Sequence, residues 1–413
     1  MAIADLVDWF NHFGRPETLW YAKRLSANDT LANAAHQAGP YVPKDVLFTV
    51  FPDLNRPEAE NPDHRFDLYV DSHPDHRLVR AVWYNGKVRG DGTRNETRLT
   101  GFGGARSALL DPDSTGAIAI LVFVLGDDAK GTECHVWVAG NEIEEDIIEE
   151  RLGPVEPKKY VIWKPGSLPE AEQLEFLPKV RNSCRLQPKD IPDAWMRRFP
   201  SGEEIIKKTL ELRPRDGTDP DVRLLRRRQC EYEVFLSVEE AVYEPRIRAG
   251  FQSLSSFIAL AQTLLQSRKS RSGNSLEIHT RHILSEEGLI LNSDFAYKPT
   301  IENGKKPDFI FPTVQAYGDP AFPAEKLRML AAKTTCKDRW RQVINEADRI
   351  AVKHLLTLQE GVSVGQFREM CEAGVALVVP AGLADSYPEE VRPHLITLES
   401  FIGDIRLLNL GRE

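Results

Sequence analysis

Short runs of apolar residues, separated by polar turns, dominate the first half of the chain. Residues 78–87, 117–126 and 134–140 are rich in Val, Ile, Trp, Phe and Tyr, and Gly, Asp and Asn lie between these runs. β-Branched and aromatic residues in short runs of this kind are typical of strands. Several strands at this spacing predict a barrel or a sandwich with few helices.

The second half of the chain changes to a helical pattern. Apolar residues recur at three-and-four spacing in EYEVFLSVEEAVYEPRIRAG and LSSFIALAQTLLQSRKS, which predicts amphipathic helices. A further helix is predicted over SLEIHTRHILSEEGLI, with Ser275 as its N-cap. Strands are predicted at 308–312, 327–335 and 375–380, and a helix at 338–350. This order is typical of an α/β domain with a central mixed sheet.

The length and the proline pattern predict two domains. A chain of 413 residues is long enough for two hydrophobic cores. Proline and charge become denser from about 154 to 202, where an interdomain connection is expected. We therefore expect an N-terminal domain at 1–175, a linker at 176–195 and a C-terminal domain at 196–413.

Composition excludes several classes of protein. No run of about 18 apolar residues is present, which argues against a transmembrane helix. The N-terminus has an acidic residue at position 5 and no basic region, so it does not resemble a signal peptide, and a cytoplasmic location is expected. Five cysteines lie far apart with no CxxC pair, which argues against a disulfide framework and a zinc knuckle.

The formal net charge of −9 is unexpected for a protein that binds nucleic acid. However, the segment 141–151 alone has six carboxylates and one arginine, whereas basic residues crowd together at 223–228, 268–271 and 333–341. The chain is thus acidic as a whole and locally basic in its second half. Because such charge runs are usually only solvated faces, they do not decide the function.

Asp308 and Lys333 are the first candidates for chemistry. Asp308 begins an apolar strand, and Lys333 ends the next one, 25 residues later. Neighbouring strands bring two such residues to one edge of a sheet. Phosphodiester hydrolysis requires this combination, because a carboxylate holds Mg²⁺ and an ammonium offsets the charge that develops on the phosphate.

The usual nuclease pattern has a second acid two residues before the lysine, where this chain has Ala331. Glu346, on the helix predicted after the Lys333 strand, is a candidate replacement, and Glu277 is a further one. Each has a purely structural alternative. Glu277 has the spacing to pair with Arg281, and Glu346 has the spacing to pair with Arg349.

Longer strings resemble the EcoRII-type restriction endonucleases, of type IIE. The likeness is closest in RKSRSGNSLEIH, NGKKPDFIFP, LRMLAAKTTCKDRWRQVINEADRI and TLQEGVS, and it is also clear in YAKRLSANDT and TRNETR. The resemblance implies a restriction-endonuclease-like (PD-(D/E)xK) α/β domain after an N-terminal DNA-binding pseudobarrel. It also implies that Asp308 and Glu346 hold Mg²⁺, that Lys333 is catalytic and that Glu277 supports them.

The resemblance also implies which residues bind DNA. In the catalytic domain, Lys337, Arg339 and Arg341 would read bases, since arginine presents paired donors to guanine. Arg228 and Tyr232 would hold a base flipped out of the duplex, although the alternative for Tyr232 is a core aromatic. In the N-terminal domain, two arms would grip the major groove: Arg24, Asn28 and His36 in the first arm, and Arg94, Asn95, Glu96 and Arg98 in the second.

The second arm has its own alternative, a charged β-turn. Gly92 and Thr97 stand where lysines are expected in the family, and the loss of two cations would weaken phosphate contacts.

The main hypothesis is a homodimeric type II restriction endonuclease that cuts both strands of DNA at a short near-palindrome, CCWGG by resemblance. The N-terminal domain would bind a second, effector site and restrain the catalytic domain until it does so. A cytosine methyltransferase would be its functional partner. The alternatives are a catalytically silent sequence-specific DNA-binding protein and a nuclease of another specificity or outcome, such as a nicking enzyme.

Overall fold

The computed structural model describes residues 3–33, 39–102, 107–126, 130–165, 184–337 and 339–410. The chain divides into two compact units. The first is Met1–Lys179 with Gln359–Gln366 and Ser386–Glu390, and the second is Val180–Leu358 with Phe367–Asp385 and Val391–Glu413. Two short segments from the second half of the chain thus group with the first unit. The domain bounds expected from the sequence placed both segments in the C-terminal domain.

The first unit is built on one seven-stranded sheet. Its strands are β1 (Thr18–Arg24), β2 (Asp63–Val70), β3 (Asp75–Tyr84), β4 (Glu96–Thr100), β5 (Ile118–Leu125), β6 (Gly131–Val138) and β7 (Tyr160–Trp163). Their order is β4-β3-β2-β6-β5-β1-β7, and all neighbours are antiparallel except β2 and β6. The three strands predicted from the apolar runs are confirmed as β3, β5 and β6.

Side chains on the two faces of this sheet belong to separate hydrophobic clusters. Its helices are α1 (Ile3–Phe13), α2 (Lys44–Val50), α3 (Gly86–Arg89) and α4 (Glu142–Leu152). In β1, Leu19 and Tyr21 join the cluster that contains α2, whereas Trp20 joins the cluster that contains α1 and α4. Alternating side chains of a strand point to opposite faces, so a strand that is apolar throughout is covered on both faces.

The second unit has a five-stranded mixed sheet. Its strands are β8 (Ala296–Tyr297), β9 (Phe309–Phe311), β10 (Arg328–Ala332), β11 (Lys353–Leu356) and β12 (Val375–Val378). Their order is β12-β11-β10-β9-β8; β8, β9 and β10 pair antiparallel, and β10, β11 and β12 pair parallel. The predicted mixed sheet is confirmed, although β8, which has only two residues, and β11 were not predicted from the sequence.

Helices surround this second sheet. They are α5 (Asp193–Arg197), α6 (Gly202–Leu212), α7 (Pro220–Arg248), α8 (Leu254–Glu286), α9 (Val314–Gly318), α10 (Trp340–Ile344), α11 (Val364–Glu372) and α12 (Leu398–Leu410). Trp195 of α5 and Ile191 pack in a hydrophobic cluster with α7. Residues 184–195, expected as linker, therefore belong to the second unit's core. Among the described residues, none of the helices is long and apolar enough to cross a membrane.

Three predictions about this unit are wrong. Ser275 does not begin a helix, because α8 begins after its N-cap Ser253 and runs through Ser275, whose buried side chain donates to Glu231. The helix predicted over 338–350 ends at Ile344, so Glu346 lies beyond it. Cys184 and Cys230 form a disulfide, although 46 residues separate them, because the fold brings their Cα atoms within 5.2 Å.

Candidate active site

The register of β9 and β10 brings Asp308 and Lys333 to the same edge of the second sheet. Phe309 pairs with Leu330 in an antiparallel ladder, so the residue before β9 lies beside the end of β10. Asp308 Oδ2 accepts hydrogen bonds from the backbone N of Ala332 at 2.8 Å and from Lys333 Nζ at 3.1 Å. Asp308 is only 5% exposed, so its carboxylate is fixed by the sheet itself.

Glu346 lies close enough to Asp308 and Lys333 to interact with them electrostatically. Burial raises the pKa of the Glu346 carboxyl to about 7; Lys333 works to lower this pKa and Asp308 to raise it. Its Oε2 atom is buried and has no hydrogen-bond partner among the described residues. An unpartnered buried carboxylate oxygen beside a second carboxylate is a position that a cation would stabilise.

The loop after α10 positions Glu346. Ala347, the next residue, has φ of 50°, which is rare for a residue with a side chain. The buried ammonium of Lys353 donates to the carbonyl of Ala347 at 2.7 Å and also to that of Ile350. Arg349 donates instead to backbone carbonyls such as that of Phe322, at 2.8 Å. The loop is thus held from its backbone, and the Glu346 carboxylate is left for another partner.

Glu277 reaches the same centre from α8. Its Oε2 atom lies 2.5 Å from Lys298 Nζ and accepts from the Tyr297 hydroxyl at 3.4 Å. Burial and then the Asp308 carboxylate raise the pKa of Glu277. Arg281 pairs with Glu203 at 2.7 Å, so it serves another carboxylate. Tyr297 and Lys298 were not predicted from the sequence, because the two-residue strand β8, which contains Tyr297 and precedes Lys298, has no recognisable pattern.

The donor set suits a small divalent cation. Mg²⁺ is usually bound by one or two carboxylates, with water and phosphate oxygens as the remaining ligands. Asp308 and Glu346 supply two carboxylates, and Ala331 is a buried strand residue with no ligand atom in its side chain. The described residues contain no group of three or more His, Cys, Asp or Glu side chains arranged to hold a metal ion. The residues therefore fit a site that substrate oxygens and water complete.

Of the predicted base-reading residues, Lys337 and Arg339 lie between Lys333 and α10, and Arg341 lies in α10. Lys337 and Arg339 are partly buried, and Arg339 is the N-cap of α10. Arg341 is exposed, lies 4.6 Å from the centroid of the Trp340 ring and pairs with Glu369 at 3.0 Å. These cations therefore follow Lys333 closely in the sequence.

The predicted base pocket contains a cation that the sequence did not indicate. Arg228 is buried and pairs with Glu231 at 2.7 Å. The guanidinium that lies over the Tyr232 ring, 5.2 Å from its centroid, belongs to Arg271. Burial works to raise the pKa of Glu231, but Arg228 and His279 outweigh it, and this pKa lies well below its usual range. Glu231 thus stays ionised and links the cations on α7 and α8.

The second predicted DNA-binding arm is at the surface of the first unit. Arg94 is exposed, and its guanidinium lies 5.5 Å from the centroid of the Tyr84 ring. Asn95 Oδ1 accepts from Trp83 Nε1 at 3.0 Å, which fixes the side chain just before β4. Glu96 and Arg98 lie two residues apart on the same face of β4, and Arg98 Nε is 3.4 Å from Glu96 Oε1. A polar, partly exposed row of this kind is suited to base edges.

The first arm differs from expectation. Asn28 is exposed and accepts from Asn33 at 2.9 Å, whereas His36 lies outside the described residues. Arg24 is buried, and its guanidinium bonds Glu145 at 2.7 Å, Glu149 at 3.0 Å and two backbone carbonyls. Arg24 therefore has a structural role here.

Thr97 corrects a second expectation about the arms. Its side chain is fully buried and donates to the carbonyl of Val42 at 2.6 Å. Position 97 therefore faces the interior of the first unit and not its exposed surface.

Two protein families match the chain. The family described as Restriction endonuclease EcoRII, N-terminal, matches residues 14–167, and the family described as EcoRII C terminal matches residues 235–402. The Type II restriction enzyme EcoRII of Escherichia coli is 45% identical over 411 residues, which cover 98% of this chain and 98% of that protein.

Similar solved structures were also found. Metal-depleted Ecl18kI in complex with uncleaved, modified DNA is 20% identical with a TM-score of 0.44, over 55% of this chain and 87% of that chain. The B3 domain of the UbaLAI restriction endonuclease with cognate DNA is 16% identical with a TM-score of 0.25, over 38% of this chain and 98% of that chain.

Proposed function

This chain belongs to the EcoRII family and is a type II restriction endonuclease, and from that premise we propose that it hydrolyses both strands of a short near-palindromic DNA site with Mg²⁺. CCWGG is the proposed site. The observation that carries the catalytic part is the contact of Asp308 with Lys333, beside a Glu346 carboxylate whose buried Oε2 has no hydrogen-bond partner among the described residues.

Each residue of the centre has a role in this proposal. Asp308 and Glu346 would hold the metal, which when bound polarises the phosphate and lowers the pKa of a bound water. Lys333, on the same sheet edge, stabilises the negative charge that grows on the phosphate oxygens. Glu277 is a supporting carboxylate on α8. The sheet holds Asp308 and Lys333 in place before the substrate arrives, which lowers the reorganisation that catalysis requires.

Plasmid digestion tests this assignment directly. The purified full chain is incubated with unmethylated plasmid in Mg²⁺ or in EDTA, and the cut ends are mapped by sequencing. We expect double-strand breaks at one short sequence in Mg²⁺ only. Cleavage in EDTA, or breaks scattered over unrelated sequences, would contradict the proposal.

Base recognition is proposed for three groups of side chains. Lys337, Arg339 and Arg341 would contact base edges beside the scissile bond, and the exposed residues around β4 would contact a second DNA site. Arg228 and Tyr232 would hold a flipped central base. Because the Arg271 guanidinium lies over one face of the Tyr232 ring, a flipped base would stack on the opposite face.

Control by a second copy of the site is proposed for the first unit. This unit would bind effector DNA and restrain the catalytic unit until it does so. A matching cytosine methyltransferase would protect host DNA, and both enzymes would work in the cytoplasm, where that DNA is.

A homodimer is proposed because two strands need two active sites. Residues 251–266, which include the first 13 residues of α8, carry no charged side chain. Leu254, Phe257 and Ile258 there are 74%, 48% and 44% exposed. Near a two-fold axis a helix meets its own copy, so an uncharged apolar face avoids like-charge repulsion. We assign this face, called the α8 surface, to a second copy of the chain.

A further inference from the structure

Lys298 is held at the active site by its backbone as well as by its side chain. It follows β8, and its N–H donates to the carbonyl of Asp308 at 2.8 Å. Its φ of 47° lies in the left-handed region, which costs free energy for a residue with a side chain. The fold therefore fixes Lys298 to the residue that would bind the metal, in a conformation that lysine rarely adopts.

The side chain of Lys298 forms an ion pair with a buried carboxylate and is itself partly exposed to solvent. Its Nζ lies 2.5 Å from Oε2 of Glu277, which is only 6% exposed, while the Lys298 side chain is itself 41% exposed. The hydroxyl of Tyr297 donates to the same Glu277 oxygen at 3.4 Å. Glu277 thus has two protein donors, in contrast to the unpartnered oxygen of Glu346.

The balance of charge at the site also bears on how many metal ions it can hold. Lys333 interacts electrostatically with Asp308, Glu346 and Glu277, Lys298 interacts with Glu277, and Lys353 interacts with Glu346. Three carboxylates and three ammonium groups therefore balance. One divalent cation adds two positive charges, of which a phosphate offsets one. A second divalent cation would leave three uncompensated positive charges and would compete with Lys298 for Glu277.

We propose that Lys298 takes, beside Glu277, the place that a second metal ion would take, so that each active site binds a single divalent ion. This inference rests on the proposed Mg²⁺-dependent cleavage. Lys298 is thereby a positioning residue: it neutralises Glu277, keeps that carboxylate away from the metal and leaves the metal to Asp308 and Glu346.

The number of bound ions tests the proposal without reference to turnover. Mn²⁺ is titrated into the full chain bound to a duplex that carries the mapped site with a non-hydrolysable linkage at each scissile position, and free Mn²⁺ is measured by electron paramagnetic resonance. We expect one ion per chain for the wild type and for Lys298→Arg. For Lys298→Met, which removes the ammonium and keeps the length, we expect two.

A matched control is Lys208→Met, which removes another ion-paired lysine, on α6, whose partner is Glu211; it should bind one ion. Two ions per wild-type chain, or one ion in Lys298→Met with unchanged affinity, would overturn the inference. Failure of the proposed function is distinguishable, because it would appear as a wild type that does not cut plasmid in Mg²⁺, whatever the ion count.

Discussion

The Nζ atom of Lys333 lies 3.1 Å from Oδ2 of Asp308, although 25 residues separate them along the chain. The ladder between β9 and β10 creates this contact, and the backbone N–H of Ala332 supports it from the same strand. Because backbone pairing sets the position of both side chains, either side chain can be changed without removing the sheet that carries it.

Lys333→Ala should therefore remove catalysis and leave the fold intact. Loss of a preorganised charge of this kind lowers rates by roughly 10²–10³-fold or more. The measurement is the single-turnover cleavage rate in Mg²⁺, together with DNA affinity and the circular dichroism spectrum. The matched control is Lys326→Ala, which removes a lysine before the opposite end of β10 and should cut normally. Wild-type cleavage by Lys333→Ala would exclude the assigned role.

Glu346→Gln should stabilise the metal-free protein at high pH but not at low pH. The pKa of Glu346 is raised by burial from 4.5 to about 7, so between these values the folded state holds a proton that the unfolded chain has released. Stability is therefore lost as pH rises through this range. Glutamine removes the loss, which is on the order of 2 kcal/mol after allowing for partial solvent access.

The measurement for Glu346 is the melting temperature in EDTA at pH 4.5 and pH 8. The gain for Glu346→Gln should appear at pH 8 only, whereas Glu325→Gln, at an exposed carboxyl, should show no such difference. An equal gain at both values of pH would contradict the burial argument. Because metal binding requires the ionised carboxylate, cleavage by the wild type at subsaturating Mg²⁺ should rise with pH up to about 7.

Arg24→Met should unfold the first unit more easily without a specific effect on DNA reading. Arg24 is buried between Glu145 and Glu149, and removing one partner of a buried ionic group typically costs about 3–5 kcal/mol. Arg94→Ala, at the exposed arm, should keep the melting temperature and weaken DNA binding. Melting curves and gel-shift titrations at several salt concentrations compare the two. If Arg24→Met instead kept the melting temperature and weakened DNA binding, Arg24 would belong to the DNA-binding arm.

Phe257→Asp should convert the proposed dimer to monomers. A charge on the α8 surface would meet its own copy near the two-fold axis, and like charges repel there. Analytical ultracentrifugation measures the state, and gel electrophoresis of plasmid distinguishes nicks from double-strand breaks. Leu407→Asp on α12, which is 70% exposed, is the matched control and should remain dimeric. A dimeric Phe257→Asp protein would place the interface elsewhere.

Plasmids with one, two and three copies of the mapped site should be cut at different rates. A plasmid with one site is expected to be cut slowly, and a short duplex that carries the site should accelerate its cleavage. Arg94→Ala should lose this acceleration, because the added duplex would bind at the exposed arm. Equal rates per site, unchanged by the duplex, would remove the effector hypothesis.

The sequence was most informative where packing and local pattern agree. Apolar runs predicted β3, β5 and β6. Strand β5 is apolar throughout, as expected of a strand covered on both faces, and β3 and β6 each end in a buried apolar stretch. The position of Asp308 and Lys333 at the ends of neighbouring strands predicted their contact. Pattern alone could not predict β8, with its two residues, and so Lys298 was missed.

Other features depend on tertiary contacts that leave no local signal. Ser275 has the residue type of an N-cap, but its hydroxyl bonds the buried Glu231, and α8 passes through it. Arg24 resembles a DNA contact in its charge, yet Glu145, more than 100 residues away, buries it. The residue pattern after Lys333 favoured a long helix, whereas Ala347 adopts a left-handed conformation and the chain turns.

The position of Glu346 outside both helix and sheet has a consequence for protein engineering. Asp308 is held by strand pairing, whereas the position of Glu346 depends on a turn in which the Lys353 ammonium donates to the carbonyl of Ala347. The two halves of the proposed ligand set are thus attached to parts of the chain that different contacts hold in place. Substitutions in the turn can tune cation affinity while the sheet keeps its melting behaviour, so the metal requirement and the durability of the enzyme become separately adjustable.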